Sequence, residues 1–161
     1  MCLLQAGHSC LGAALQLPIR GLGYRWGVDF ADPLPRTKKG NRYVLVMIEY
    51  FTKWVELVAL PKKTSELTAS ALLAGVLARF GAPAEVLTDQ GTEIRGEFQT
   101  LLAYHGIDHR LAYREHPQSD GLAKRMVQTM KRSLRKSLTK GAVKDSDLIL
   151  PYVAVGYSNG H

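Results

Sequence analysis

Cysteine is nearly absent: the 161-residue chain has only Cys2 and Cys10, with His8 between them, and no CxxC pair. Three donors crowded into one short segment do not make a four-ligand zinc site without help from elsewhere, and nothing in their spacing calls for a disulfide. Long apolar runs are also missing, since none approaches the roughly 20 residues needed to cross a bilayer. The first fifteen residues are apolar but lack a basic start and are interrupted by Gln5, His8 and Ser9, which argues against a secretion signal. Together these absences predict a soluble, intracellular protein. Acidic residues are scarce as well, 14 against 21 lysines and arginines, for a formal net charge of +7. That imbalance favours a polyanionic partner, nucleic acid first among them. The length fits one domain with one core.

What is present has a clear order. Residues 1–22 show no period and read as a linker or remnant ahead of a core spanning 23–161. Tyr24 to Ala31 reads as a strand, stopped by Pro33 and Pro35 because proline cannot donate to a ladder. A Gly40-Asn41 turn leads into Tyr43 to Ile48, continuously apolar as in a strand covered on both faces. Phe51 to Leu60 reads as a third strand in an antiparallel meander. Thr64 offers a helix N-cap, with Glu66 in the first turn, and the spacing of Leu73, Val76, Leu77 and Phe80 predicts the inward face of that helix. Gly81 and Pro83 end it. A short strand at 85–88 follows, parallel to its neighbour because a helix precedes it. A second helix from Gly96 to Tyr104, with Phe98, Leu101 and Leu102 inward, and a brief strand from Ile107 to Arg110 complete the sheet. Trp26 and Trp54 read as core, and His105 and His109 as surface or packing residues.

Two carboxylates stand out. Val86-Leu87-Thr88-Asp89-Gln90-Gly91 is an apolar run that stops at an acid, with Gly91 available for a positive φ. Trp26-Gly27-Val28-Asp29-Phe30 repeats the setting. Open α/β sheets take their ligands at the carboxyl edge of such strands. The segment from Leu122 to Leu138 then places Met126, Met130, Leu134 and Leu138 at steps of four, while Lys124, Gln128, Lys131 and Arg135 share another face. A basic face is often only solvated, but near paired carboxylates it fits phosphates.

Five blocks in order carry a resemblance: Trp26-Gly27-Val28-Asp29-Phe30, Tyr50-Phe51-Thr52-Lys53-Trp54, Arg79-Phe80-Gly81-Ala82-Pro83, Thr88-Asp89-Gln90-Gly91-Thr92-Glu93 and His116-Pro117-Gln118-Ser119-Asp120-Gly121. From about Leu17 to Tyr157 the chain resembles the catalytic core of retroviral-type integrases, in particular those of Ty3/gypsy-class long-terminal-repeat retrotransposons. The resemblance implies an α/β, RNase H-like fold: a five-stranded mixed sheet, antiparallel meander plus parallel strands, with helices on both faces. It implies action on DNA, both retroelement ends and target DNA, in the nucleus, with a homodimer as a further possibility and no membrane. Family members hold two magnesium ions on two aspartates and a glutamate, because paired hard cations with oxygen ligands stabilise the entering and departing oxygens of an in-line phosphodiester displacement. Asp29 and Asp89 match the two aspartates. Gln118, Gln128, Lys131 and Arg135 fall at nucleic-acid-facing positions, and His116 at a structural loop position.

The third acid departs from the pattern. Relatives carry a glutamate three residues after the glycine of the last block, where this chain has Lys124, 35 residues after Asp89 (124 minus 89). An ammonium about 4 Å from a divalent ion repels it by roughly 8 kcal/mol at an effective dielectric near 20. The expectation is therefore weak or incomplete binding of Mg2+ or Mn2+ by Asp29 and Asp89, Lys124 pairing with one or both of them, and an impaired catalytic core. The alternative is a non-enzymatic relic that binds nucleic acid or dimerises. Asp32 and Ile94 are smaller departures, and the resemblance implies a core truncated before the family's last helix.

Overall fold

In a computed structural model of the chain, residues 21–31, 35–89, 91, 94–111, 121–140 and 150–155 are described; within 121–140 the side chains described are those at 125, 127–133, 135 and 136. Three strands follow one another as the apolar runs predict: β1 (Arg25–Phe30), β2 (Tyr43–Glu49) and β3 (Val55–Leu60), paired antiparallel. Helix α1 begins as Ser65–Leu72, passes through a π-helical turn at Leu73–Leu77 and ends in Ala78–Phe80. β4 (Glu85–Thr88) then enters parallel to β1, and helix α2 (Glu97–Tyr104) leads to β5 (Asp108–Leu111), parallel to β4. The sheet order is β3-β2-β1-β4-β5. Helix α3 (Gly121–Lys140) is the longest element described.

Strand alternation sorts the core into two layers. Trp26, Val28 and Phe30 of β1 with Leu45 and Met47 of β2 pack against Leu72, Val76, Phe98 and Leu102 of α1 and α2. On the opposite face Val44, Val46, Ile48 and Val55 pack against Val127 and Met130 of α3 and against Leu150, in a helical segment at 150–155. Helices thus cover both faces of a five-stranded mixed sheet. β2 is buried along nearly its whole length, which explains its unbroken apolar sequence.

Three local expectations are corrected. The third strand starts at Val55, not Phe51, because buried Glu49 accepts hydrogen bonds from the Phe51 and Thr52 backbone N–H groups and the Thr52 hydroxyl, which ties 50–54 into a turn. Lys53 takes the left-handed conformation there, at φ 66. Leu73 and Phe80 lie outward, because the π-helical turn adds a residue per turn and shifts the phase, leaving Ala71, Leu72 and Val76 inside. Trp54 is 42% exposed, on the outer side of Phe80, whose ring lies 5.4 Å from that of Trp26 and 6.2 Å from that of Trp54. The Gly91 N–H donates to the Asp89 carbonyl at 3.0 Å, and Gly96 takes a positive φ of 73 ahead of α2. Other boundaries agree: Thr64 caps α1 by accepting from the Leu67 N–H, and Gly81 ends it at φ 85.

Candidate active site

The parallel pairing of β1 and β4 runs Arg25 with Glu85, Trp26 with Val86, Gly27 with Leu87 and Val28 with Thr88, a constant offset of 60 residues. The next step in that register is Asp29 with Asp89. Neighbouring strands lie about 4.8 Å apart, so two carboxylates leave the carboxyl edge of the sheet side by side. Asp29 shares the α3 face with Gly27 and Ala31, because side chains alternate along a strand. Gly27 is required there: a Cβ would stand 2.8 Å from Tyr50 Cε1, whose ring lies across β1.

Both Asp29 oxygens have donors. Oδ1 accepts from the Phe30 backbone N–H at 2.7 Å, and Oδ2 receives Lys131 Nζ of α3 at 2.7 Å. The two side chains are 30% and 17% exposed, so the pair is partly shielded from water. Lys131 follows Met130, which is fully buried against the sheet, so packing delivers the ammonium to the strand end. Asp89 is exposed. Behind it, buried Thr88 shares a 2.7 Å hydrogen bond with His109 Nε2 of β5, and that ring rests edge-on against Phe98. Burial pushes the His109 pKa below its usual value, opposed by the nearby Asp108 charge.

The sequence candidates sort as follows. Asp29 and Asp89 lie at the carboxyl ends of the adjacent parallel strands β1 and β4. Lys131, expected to face nucleic acid, places its ammonium on Asp29. Gln128 and Arg135 are exposed on α3. Gln118 and His116 lie outside the described residues, as do the carboxylates Glu93, Glu115 and Asp120. Lys124 sits in α3, with its side chain outside the described set. Two contacts escaped the sequence reading, Lys131 with Asp29 and His109 with Thr88. The latter was foreshadowed only by His109 and Thr88 lying on successive short strands.

Two described carboxylates, one of them already paired with an ammonium, offer fewer free oxygens than two hard cations take as ligands. Among the described residues no three His, Cys, Asp or Glu side chains converge, and one Asp29 oxygen already holds an ammonium. A divalent ion about 4 Å from that nitrogen would meet roughly 8 kcal/mol of repulsion at an effective dielectric near 20.

Comparison with known proteins agrees with this architecture. A family described as "Integrase core domain" matches residues 21–117. The Pol polyprotein of radiation murine leukemia virus (strain Kaplan) is 30% identical over 149 residues, 92% of this chain, and the chain spans 26% of that polyprotein. The catalytic core domain of BIV integrase aligns at 20% identity with a TM-score of 0.62, covering 83% of this chain and 82% of that one. The HTLV-2 integrase catalytic core domain, solved in complex with magnesium in a trimeric form, aligns at 24% identity and a TM-score of 0.57, covering 84% of this chain and 82% of that one. The paired strand-end aspartates, the five-stranded mixed sheet and the matched family identify the chain as a member of the integrase core domain family, of the retroviral type.

Proposed function

We propose that this chain is a polynucleotidyl transferase core that engages DNA but no longer assembles a complete metal centre. The observation that carries this reading is the carboxylate edge itself: Asp29 near the end of β1 and Asp89 directly after β4, its parallel neighbour, with Lys131 on Asp29. Lys124 at the expected glutamate position points the same way. In-line phosphoryl transfer with two cations needs enough anionic oxygen to hold both ions. Asp29 and Asp89 are the metal ligands in this reading, and magnesium or manganese is held weakly.

DNA contact falls to the exposed side of α3, including Gln128 and Arg135, and to Gln118. Lys131 contributes to DNA only by exchanging the Asp29 carboxylate for a phosphate. The partners proposed are retroelement ends and target DNA, met in the nucleus, with self-association as a further property. The test is 3′-end processing and strand transfer with labelled terminal-repeat DNA, in magnesium and in manganese, comparing the unaltered chain with Lys124→Glu. The unaltered chain is expected to be inactive and the variant to gain activity. Turnover by the unaltered chain removes the impaired reading. Absent or salt-insensitive DNA binding removes the nucleic-acid reading and leaves a dimerising relic.

A further inference from the structure

The carboxyl edge carries a second group of cations that α3 does not supply. β3 is parallel to β1, since each is antiparallel to β2, so the β3–α1 turn and the β1–β2 connection emerge at the same edge as Asp29. No acidic residue occurs between Asp32 and Glu49, or between Glu56 and Glu66. In those two stretches Arg36, Lys39, Arg42, Lys62 and Lys63 are all exposed. Their backbone is held firmly. Buried Thr37 donates its N–H to the Asn41 carbonyl at 2.9 Å, accepts from the Gly40 N–H at 2.9 Å, and takes the Asn41 N–H on its hydroxyl at 3.1 Å. The Arg42 N–H donates to the Leu60 carbonyl at 3.0 Å, which joins the two stretches. Lys63 Nζ lies 5.1 Å from the Phe30 ring centre and 5.4 Å from that of Tyr43, so aromatic faces fix a cation one residue from Asp29. The nearest acid in sequence, Glu66, is engaged by its own backbone N–H and the Thr64 hydroxyl, which lower its pKa.

Resting on the DNA reading above, we infer that this rim is a second binding surface for the phosphate backbone of duplex DNA, separate from the α3 face. In the sheet order the ends of β3, β2, β1 and β4 span three strand spacings, about 14 Å. That is about four nucleotides along one strand at about 3.4 Å each. A duplex lying across the edge meets α3 on one side of the carboxylates and the rim on the other. The rigid loop matters, because ammonium and guanidinium groups held on ordered backbone lose less entropy on binding.

The experiment measures binding of a short duplex over a salt series for three proteins: the unaltered chain, a rim variant (Arg36→Gln, Lys39→Gln, Arg42→Gln, Lys62→Gln) and an α3 variant (Arg125→Gln, Arg132→Gln). Each phosphate contact contributes about 0.9 to the log–log salt slope. The rim variant is expected to be shallower by up to about 3.6 (four times 0.9), and the α3 variant to lose slope independently. Over a fourfold salt change the rim's full share corresponds to about 150-fold in affinity. A rim variant that binds with unaltered affinity and slope, while the α3 variant weakens, overturns the rim alone. An unaltered chain that binds no duplex overturns the wider DNA reading instead. If the fourfold variant melts early, Lys39→Gln with Lys62→Gln, which changes only exposed ammonium groups, gives the same comparison with an expected slope loss of up to about 1.8.

Discussion

Replacing Lys131 with methionine keeps the length of the stem and removes the charge, so the change isolates the ion pair with Asp29. At 2.7 Å the gross attraction is about 6 kcal/mol at an effective dielectric of 20. Most of that is offset by desolvation and by ordering of the lysine stem. Exposed pairs retain about 0–1 kcal/mol, whereas breaking a buried pair costs about 3–5 kcal/mol. With 17% and 30% exposure this pair falls between, and we expect a loss of about 1–2 kcal/mol. In urea, with a slope of about 2 kcal/mol per molar, the midpoint drops by about 0.5–1 M. A double-mutant cycle with Asp29→Asn separates the pair from lost packing, and its coupling term is expected near 1 kcal/mol. Additivity within about 0.3 kcal/mol would refute the pair's role in stability. The same proteins test the competition for Asp29. Manganese is expected to leave the melting temperature of the unaltered chain unchanged but to raise that of a variant combining Lys124→Glu with Lys131→Met, by the mass-action stabilisation of a bound ligand, about 2.7 kcal/mol at a hundredfold excess over Kd. Equal shifts in both proteins sink the competition argument.

Three other measurements follow from the fold. Glu85 is a buried carboxylate held by Arg25 at 2.7 Å and Arg110 at 3.2 Å, so Glu85→Ala, which leaves partly buried Arg25 unpaired, should cost about 3–5 kcal/mol in urea unfolding; a cost below about 1 kcal/mol contradicts the clamp. Gly27→Ala should cost about 1–3 kcal/mol through the clash with Tyr50, and Tyr50→Val in the same chain should recover part of it, whereas no recovery points to strain elsewhere. The folded state holds the His109 pKa below the ordinary value near 6.5, so the unfolded chain takes up its proton first as pH falls. Stability should therefore decline from about pH 7 downward until the lowered folded pKa is passed, and His109→Gln should flatten that part of the profile; an unchanged profile removes His109 as the cause.

The sequence made most of the fold legible where one physical signal dominated. β2 is apolar along its length because helices cover both its faces, and α1 starts at Thr64 because a hydroxyl there can take an orphan N–H. It misled where two signals competed. Phe51 to Trp54 has strand-forming residues, but the Glu49 carboxylate supplies acceptors that the adjacent ladder would otherwise have to supply. The apolar spacing through Leu73 and Phe80 assumes 3.6 residues per turn, and the π-helical turn breaks that assumption without leaving a composition signal.

The site was legible one strand at a time. An apolar run ending in an acid identifies Asp29 and Asp89 separately, but their adjacency depends on the offset of 60 residues between β1 and β4, which only pairing sets. Charge counting also placed Lys131 with the polar face of α3, although its neighbour Met130 turns that border of the helix toward the sheet. In the proposed reading, where position 124 belongs to this edge, its charge decides what the edge requires. With glutamate there, formal charges of Asp29, Asp89, residue 124 and Lys131 sum to −2 (−1 −1 −1 +1); with lysine they sum to 0 (−1 −1 +1 +1). An edge at −2 gains from drawing in a divalent cation, because carboxylates crowded at one strand end repel one another. A neutral edge has its counter-charge built in, and binding a metal there first requires displacing a lysine from an oxygen it already holds.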